Sequence, residues 1–208
     1  MSLSSDLKAA AVARGLFPED GRLTAPAAFT LVRDMPYRRA SSRAPATTIA
    51  EWRGTCSGKH YLLNALFIEL GLQSTLIACT HEFTPETAPW LPPPLLAEVE
   101  HAPVPDVHTF VRVQPFPNTE RADEWMTVDA TWPLGAGRLG LPVNERFDLG
   151  RDQILACDPL EVFHLPDDVD PQEVKEQLVA RHAEGQVDRR DRFIVALSEW
   201  LATALKDA

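Results

Sequence analysis

From Ser57 to Leu70 the chain sets Leu62, Leu63, Leu66, Phe67 and Leu70 at helical spacing, and Tyr61, Ala65 and Ile68 fill most of the remaining circumference. That pattern predicts a helix buried on nearly every side. Gly71 stands where a left-handed residue would end it, and Gln73–Thr80 then reads as a strand. Further on, His108–Gln114 (HTFVRVQ) and Trp125–Thr131 (WMTVDAT) are two β runs. The linker Pro115–Glu124 holds Pro117, Asn118 and Asp123, so the two runs are expected to form an antiparallel hairpin. Asp6–Gly15 and Pro26–Arg33 have helical composition, the second opened by Thr24 and closed near Pro36. The tail predicts two amphipathic helices, Pro171–Gly185 and Asp188–Leu205, the second with Phe193, Leu197, Trp200, Leu201 and Ala204 on one side. The tail reads as structural.

Composition changes this picture at one place. The chain has 18 prolines, where average usage would give roughly ten. Nine fall between Pro85 and Pro117, Pro92, Pro93 and Pro94 among them, so a long loop is expected there in place of regular helix or central strand. Such a loop either covers or borders a site or is only a rigid surface loop, and both readings stand. There is no repeat at a fixed period and no Gly/Ser linker, so residues 1–208 are expected to form a single domain, with a core at about 35–150 and a helical tail at about 171–206.

A formal charge of -10 repels phosphate backbones and anionic lipid surfaces, so neither nucleic acid nor a membrane is an expected partner. The start MSLSSDLKAAAVARG has no apolar signal-peptide core. Three widely spaced cysteines, Cys56, Cys79 and Cys157, do not make a disulfide framework. A cytoplasmic location is the expectation, with at least one free thiol.

Cys56, in RGTCSGKH, begins the buried helix. There the positive end of the helix dipole and the unpaired first N–H groups favour a thiolate over a thiol whose ordinary pKa is about 8.5. His108 in DVHTFVRV and Asp129 in WMTVDATW lie on the two β runs. As cross-strand neighbours, the carboxylate can hold one imidazole nitrogen while the other faces the thiol.

These residues carry a resemblance. Met35 to Trp132 resembles the transglutaminase-like superfamily of papain-like thiol enzymes, in Gly54-Thr55-Cys56 at a helix start, in His108-Thr109-Phe110-Val111, and in Trp125 with Val128-Asp129-Ala130-Thr131. Met35-Pro36-Tyr37 and Gly71-Leu72 are also similar. The resemblance implies an α+β fold with a papain/transglutaminase-like core, in which the cysteine helix packs on an antiparallel sheet with flanking helices. It implies Cys56 as nucleophile, His108 as general base and acid, and Asp129 as the orienting carboxylate. The activity implied is hydrolysis or acyl transfer at a peptide, protein or small-molecule amide through a thioester, with no cofactor. The calcium sites and extra β domains of large animal crosslinking enzymes have no room in 208 residues, so hydrolysis is favoured over crosslinking. A catalytically inactive binding or scaffold protein on the same fold is the alternative.

The backbone N–H of Cys56 is the natural first oxyanion donor. Trp52 is a candidate for the second, set against the plainer reading of a packed aromatic. His60, four residues after Cys56 and on the same helix face, is a rival base or, more simply, a hydrogen-bonded structural histidine. Cys56, His60, Cys79 and His81 offer zinc ligands in principle, but no C-x-x-C pair is present and no metal is expected. Cys157 and His164 read as packing or surface residues, and the charges of Arg53 and Lys59 as solvated.

Overall fold

A computed structural model describes residues 2–116, 120, 123–166 and 168–206, in which helices pack on a four-stranded antiparallel sheet, an α+β arrangement. Helix α1 (Leu3–Val12) is capped by the Ser2 hydroxyl and, from a distance, by Glu69, whose carboxylate oxygens accept the Leu3 and Ser4 N–H groups at 2.9 Å each. Helix α2 (Ala25–Arg33) starts at Thr24 as its sequence predicts, and a short helix α3 (Pro45–Glu51) ends on Trp52 in the left-handed region. Helix α4 (Cys56–Glu69) follows, closed by Gly71 at φ 85°. Leu62, Leu63, Leu66 and Phe67 of α4 are fully buried, each worth about 1.5–3 kcal/mol of apolar transfer.

Strand β1 (Gln73–Phe83) leads to helix α5 (Pro93–His101), β2 (Val104–Gln114), β3 (Met126–Val128) and β4 (Glu161–His164), and the sheet order is β3-β2-β1-β4. Helices α6 (Pro171–His182) and α7 (Val187–Ala204) close the chain where the amphipathic pattern puts them. No helix among the described residues is long and apolar enough to cross a membrane.

The expectation of one long loop from Pro85 to Pro117 is corrected by α5 and by the early start of β2, the middle one of three paired strands. Pro92 caps α5 and Pro93 and Pro94 occupy its first turn, where the N–H that proline lacks has no carbonyl to meet. Pro105 lies inside β2, paired with Glu82 on one side, beyond the stretch of Val111–Val113 that β3 pairs on the other. A strand edge tolerates the missing donor. Pro117 and Asn118 of the expected hairpin linker lie outside the described residues, but the hairpin pairing itself is present, with Val111 opposite Val128.

The second β run is shorter than its pattern suggests. The N–H groups of Asp129, Ala130 and Thr131 go to side chains, namely Gln153 Oε1 at 2.8 Å, His60 Nε2 at 2.8 Å and the Asp129 carboxylate at 2.9 Å, so β3 stops at Val128. This segment also joins two apolar clusters. Ala130 packs in the one built on α1, α2, α4 and β2, and Trp132 packs in the other with Tyr37, Phe83, α5 and α7.

Candidate active site

Cys56 is the first residue of α4, and Thr55 before it makes no side-chain cap, so the first N–H groups of the helix are not taken by that hydroxyl. Gly54 lets the chain enter this helix closely, because a Cβ there would come within 3.2 Å of the Lys59 side chain and backbone. Opposite the helix start, β2 delivers His108. The hairpin register, extended by one residue, sets Asp129 against Phe110, so Asp129 meets His108 on the diagonal. His108 Nε2 lies 2.8 Å from Asp129 Oδ2, and the ring is close enough to the Cys56 thiol to lower its pKa. Cys56, His108 and Asp129 are therefore brought together, all buried.

The electrostatics of the three are mutually consistent. Burial pushes the Cys56 thiol up, but the Lys175 ammonium and then the neighbouring His108 outweigh it and bring the thiol down to about 5. Burial works against the charged imidazole of His108, yet the Asp129 carboxylate and the thiolate hold its pKa well above the ordinary value. Asp129, resisting its own burial through His108, sits well below the usual carboxylate range. Its oxygens also accept the N–H groups of Thr131 at 2.9 Å and Ala156 at 2.8 Å, which fix its rotamer. The stable form at neutral pH is a thiolate–imidazolium pair oriented by a carboxylate.

His60 is occupied with the backbone. Its Nδ1 is 2.8 Å from the Cys56 carbonyl, so Nδ1 carries the proton, and its Nε2 accepts the Ala130 N–H at 2.8 Å, so Nε2 carries none. Burial brings its pKa down to about 4 even with the Asp129 charge nearby. It is a neutral strut between the helix start and the Asp129 segment. Trp52 packs against the cluster built on α1 and α4, with the Arg14 guanidinium 4.8 Å over its ring. Lys59 corrects the expectation of a solvated charge, since it is fully buried and donates to the Arg33 carbonyl at 2.7 Å and the Thr131 carbonyl at 2.9 Å. Burial lowers its pKa to about 7. Arg53 pairs with Glu51 beside it, with its Nε 2.9 Å from Oε2.

Sequence reasoning missed three groups. Lys175 reaches from α6 with Nζ 3.4 Å from Cys56 Sγ and 2.6 Å from Ser57 Oγ. Its only sequence signal is a lysine on the stripe of Leu178 and Val179, one turn ahead of them on the buried face. Asp106, two residues before His108, binds Arg190 of α7 through Nε at 2.8 Å and Nη2, and lies 3.7 Å from His81 Nε2. This pairing keeps the buried Asp106 carboxyl well below its ordinary range. The third is the contact of the Cys79 and Cys157 sulfurs, 3.7 Å apart as free thiols, with Cys79 directly across from His108. Among the described residues no group of three His, Cys, Asp or Glu side chains is arranged to hold a metal ion.

Comparison with protein-family models, curated proteins and solved structures finds no match for this chain, so its reading rests on the site itself.

Proposed function

We propose that the protein is a thiol-dependent acyl-bond enzyme, hydrolysing or transferring a peptide or other amide acyl group through a Cys56 thioester, on a papain/transglutaminase-like plan. The observation that carries this is the His108–Asp129 contact of 2.8 Å together with a Cys56 thiol lowered to about 5 in a buried site. A cysteine that only packs is inert and its pKa rises on burial. The resemblance of residues 35–132 to the transglutaminase-like superfamily supports the same roles.

In the proposed reaction the Cys56 thiolate adds to the acyl carbon and forms the S–C bond, while the carbonyl π pair moves onto oxygen. The intermediate collapses, the C=O re-forms, and the amine departs with the proton of the His108 imidazolium. Neutral His108 then takes a proton from water or from a second amine, which attacks the thioester and frees the thiolate. Asp129 keeps the Nε2 side of the ring occupied throughout, so the proton moves at Nδ1. Cys56 is only 5% exposed, and the Lys175 side chain of α6 lies against it.

The test is the rate of Cys56 alkylation by iodoacetamide as a function of pH. Wild type is expected to rise to its plateau with a midpoint near pH 5, and His108→Ala to move that midpoint upward while losing acyl transfer by about 10³-fold. Mass spectrometry after a panel of acyl electrophiles should find the acyl group on Cys56. If the wild-type thiol titrates like an ordinary one, near pH 8.5 as in about any unperturbed cysteine, the reading fails.

A further inference from the structure

We propose that Lys175 is the second oxyanion donor of this site, a cationic N–H supplied by α6 opposite the backbone N–H of Cys56; the assignment rests on the thiol-enzyme reading above. Lys175 is 2% exposed, and a buried ammonium needs an anion or a full set of acceptors. Among the described residues no carboxylate comes within ion-pair distance of it. Asp106, whose charge interacts with that of Lys175, has its Oδ1 taken by Arg190 and the Val107 N–H and its Oδ2 3.7 Å from His81 Nε2. What Nζ does touch is Ser57 Oγ at 2.6 Å and Cys56 Sγ at 3.4 Å. Its counter-ion is the thiolate.

That partner disappears during the reaction. When Sγ bonds the acyl carbon, the negative charge leaves sulfur and appears on the carbonyl oxygen, one bond beyond the carbon now attached to sulfur. A donor fixed 3.4 Å from Sγ is within reach of that oxygen, at the distances of about 2.7–3.1 Å that oxyanion donors adopt. The ammonium follows the charge with little rearrangement, because Ser57, itself 3.4 Å from the Thr109 hydroxyl, holds it on the helix-start side. An interaction that exists in both states but is stronger with the compact oxyanion accelerates the chemical step. Trp52, by contrast, packs beneath Arg14 against the cluster built on α1 and α4.

Lys175 also stabilises the thiolate, so the experiment has to separate the two effects. Alkylation by iodoacetamide displaces iodide at a saturated carbon and forms no oxyanion, whereas acetylation by p-nitrophenyl acetate passes through one and releases p-nitrophenolate. Both rates are measured on Lys175→Met on their own alkaline plateaus, where Cys56 is fully ionised. His108 and Asp106 from β2, Lys59 and Tyr61 from α4, Tyr37, Cys79 and Cys157 all couple to the thiol's titration, and the plateau removes their influence. The ratio of the two plateau rates also cancels any change in access beneath α6.

Lys175→Met is expected to lower the acetylation-to-alkylation ratio by about 10²-fold, and Ser57→Ala, which frees the ammonium, by a smaller factor. The Ser57 variant carries the comparison should the Met variant not fold. A ratio equal to wild type in the folded variants overturns the role of Lys175 and leaves the thiol-enzyme reading standing. Failure of wild type to place acetyl on Cys56 overturns both.

Discussion

Two buried imidazoles flank Asp129, and the protein charges one and keeps the other neutral. His108 offers Nε2 to the carboxylate at 2.8 Å and has the Cys56 thiol as its other charged neighbour, and its pKa is raised. His60 stands with Nε2 3.6 Å from the other carboxylate oxygen, yet its pKa falls to about 4. Burial is complete or nearly so at both and cannot be the difference. The difference is who claims the ring nitrogens. At His60 a backbone carbonyl takes Nδ1–H and a backbone N–H takes Nε2, so a second proton on Nε2 would oppose the Ala130 donor. At His108 both neighbours can carry negative charge. Proximity to a carboxylate does not make a base; the hydrogen-bond polarity of the partners does.

The largest effect that probes this contrast is at the carboxylate. Asp129→Asn keeps the size of the side chain and can still accept the Thr131 or Ala156 N–H, but it removes the charge that favours imidazolium. Acyl transfer should fall by about 10²–10⁴-fold. The alkylation midpoint of Cys56 should rise, because the thiolate loses its charged partner. If His108 keeps its raised pKa in this variant, followed by NMR titration, the account of the two histidines fails. Next in size is His60→Ala. It orphans the Ala130 N–H and leaves a cavity beside the Cys56 carbonyl, and should cost about 3 kcal/mol in denaturant unfolding. At temperatures where the variant is folded, the midpoint of Cys56 alkylation should stay close to wild type.

How much of this was legible in the chain depends on sequence separation. Cys56 at a helix start, His108 on a strand and Asp129 just past the end of the next are local patterns, and each could be read within a window of a few residues. The buried, non-titrating role of His60 was also within reach, as one of two readings. The prolines misled because composition does not say where in an element a residue falls. Pro93 and Pro94 block the interior of a helix but suit its first turn, which is where they sit. Lys175 was out of reach for another reason. It meets Cys56 from 119 positions away, and nothing local tells a lysine on the buried stripe of α6 which end of α4 it will face. Arg190 and Asp106, 84 positions apart, are hidden in the same way.

The smallest effect is the most discriminating between the two histidines, because it asks whether position 60 needs an imidazole at all. His60→Gln supplies an uncharged acceptor that can take the Ala130 N–H, losing mainly the bond to the Cys56 carbonyl, and should cost about 1 kcal/mol at pH 7.5. The pH dependence supplies the sign. His60 has a folded pKa of about 4 against 6.5 for the free group, so the folded protein excludes a proton that the unfolded chain binds. Its contribution is complete above pH 6.5 and is lost as the pH falls from 6.5 through 4, about 3 kcal/mol in all. Glutamine has no proton to gain, so the variant should lack this part of the acid arm and cross above wild type as the pH approaches 4. At position 108 the same change provides no base, and His108→Gln should be as inactive as His108→Ala. Parallel stability curves for wild type and His60→Gln between pH 6.5 and 4 would mean that His60 is protonated in the fold, and the division of roles across Asp129 would have to be redrawn.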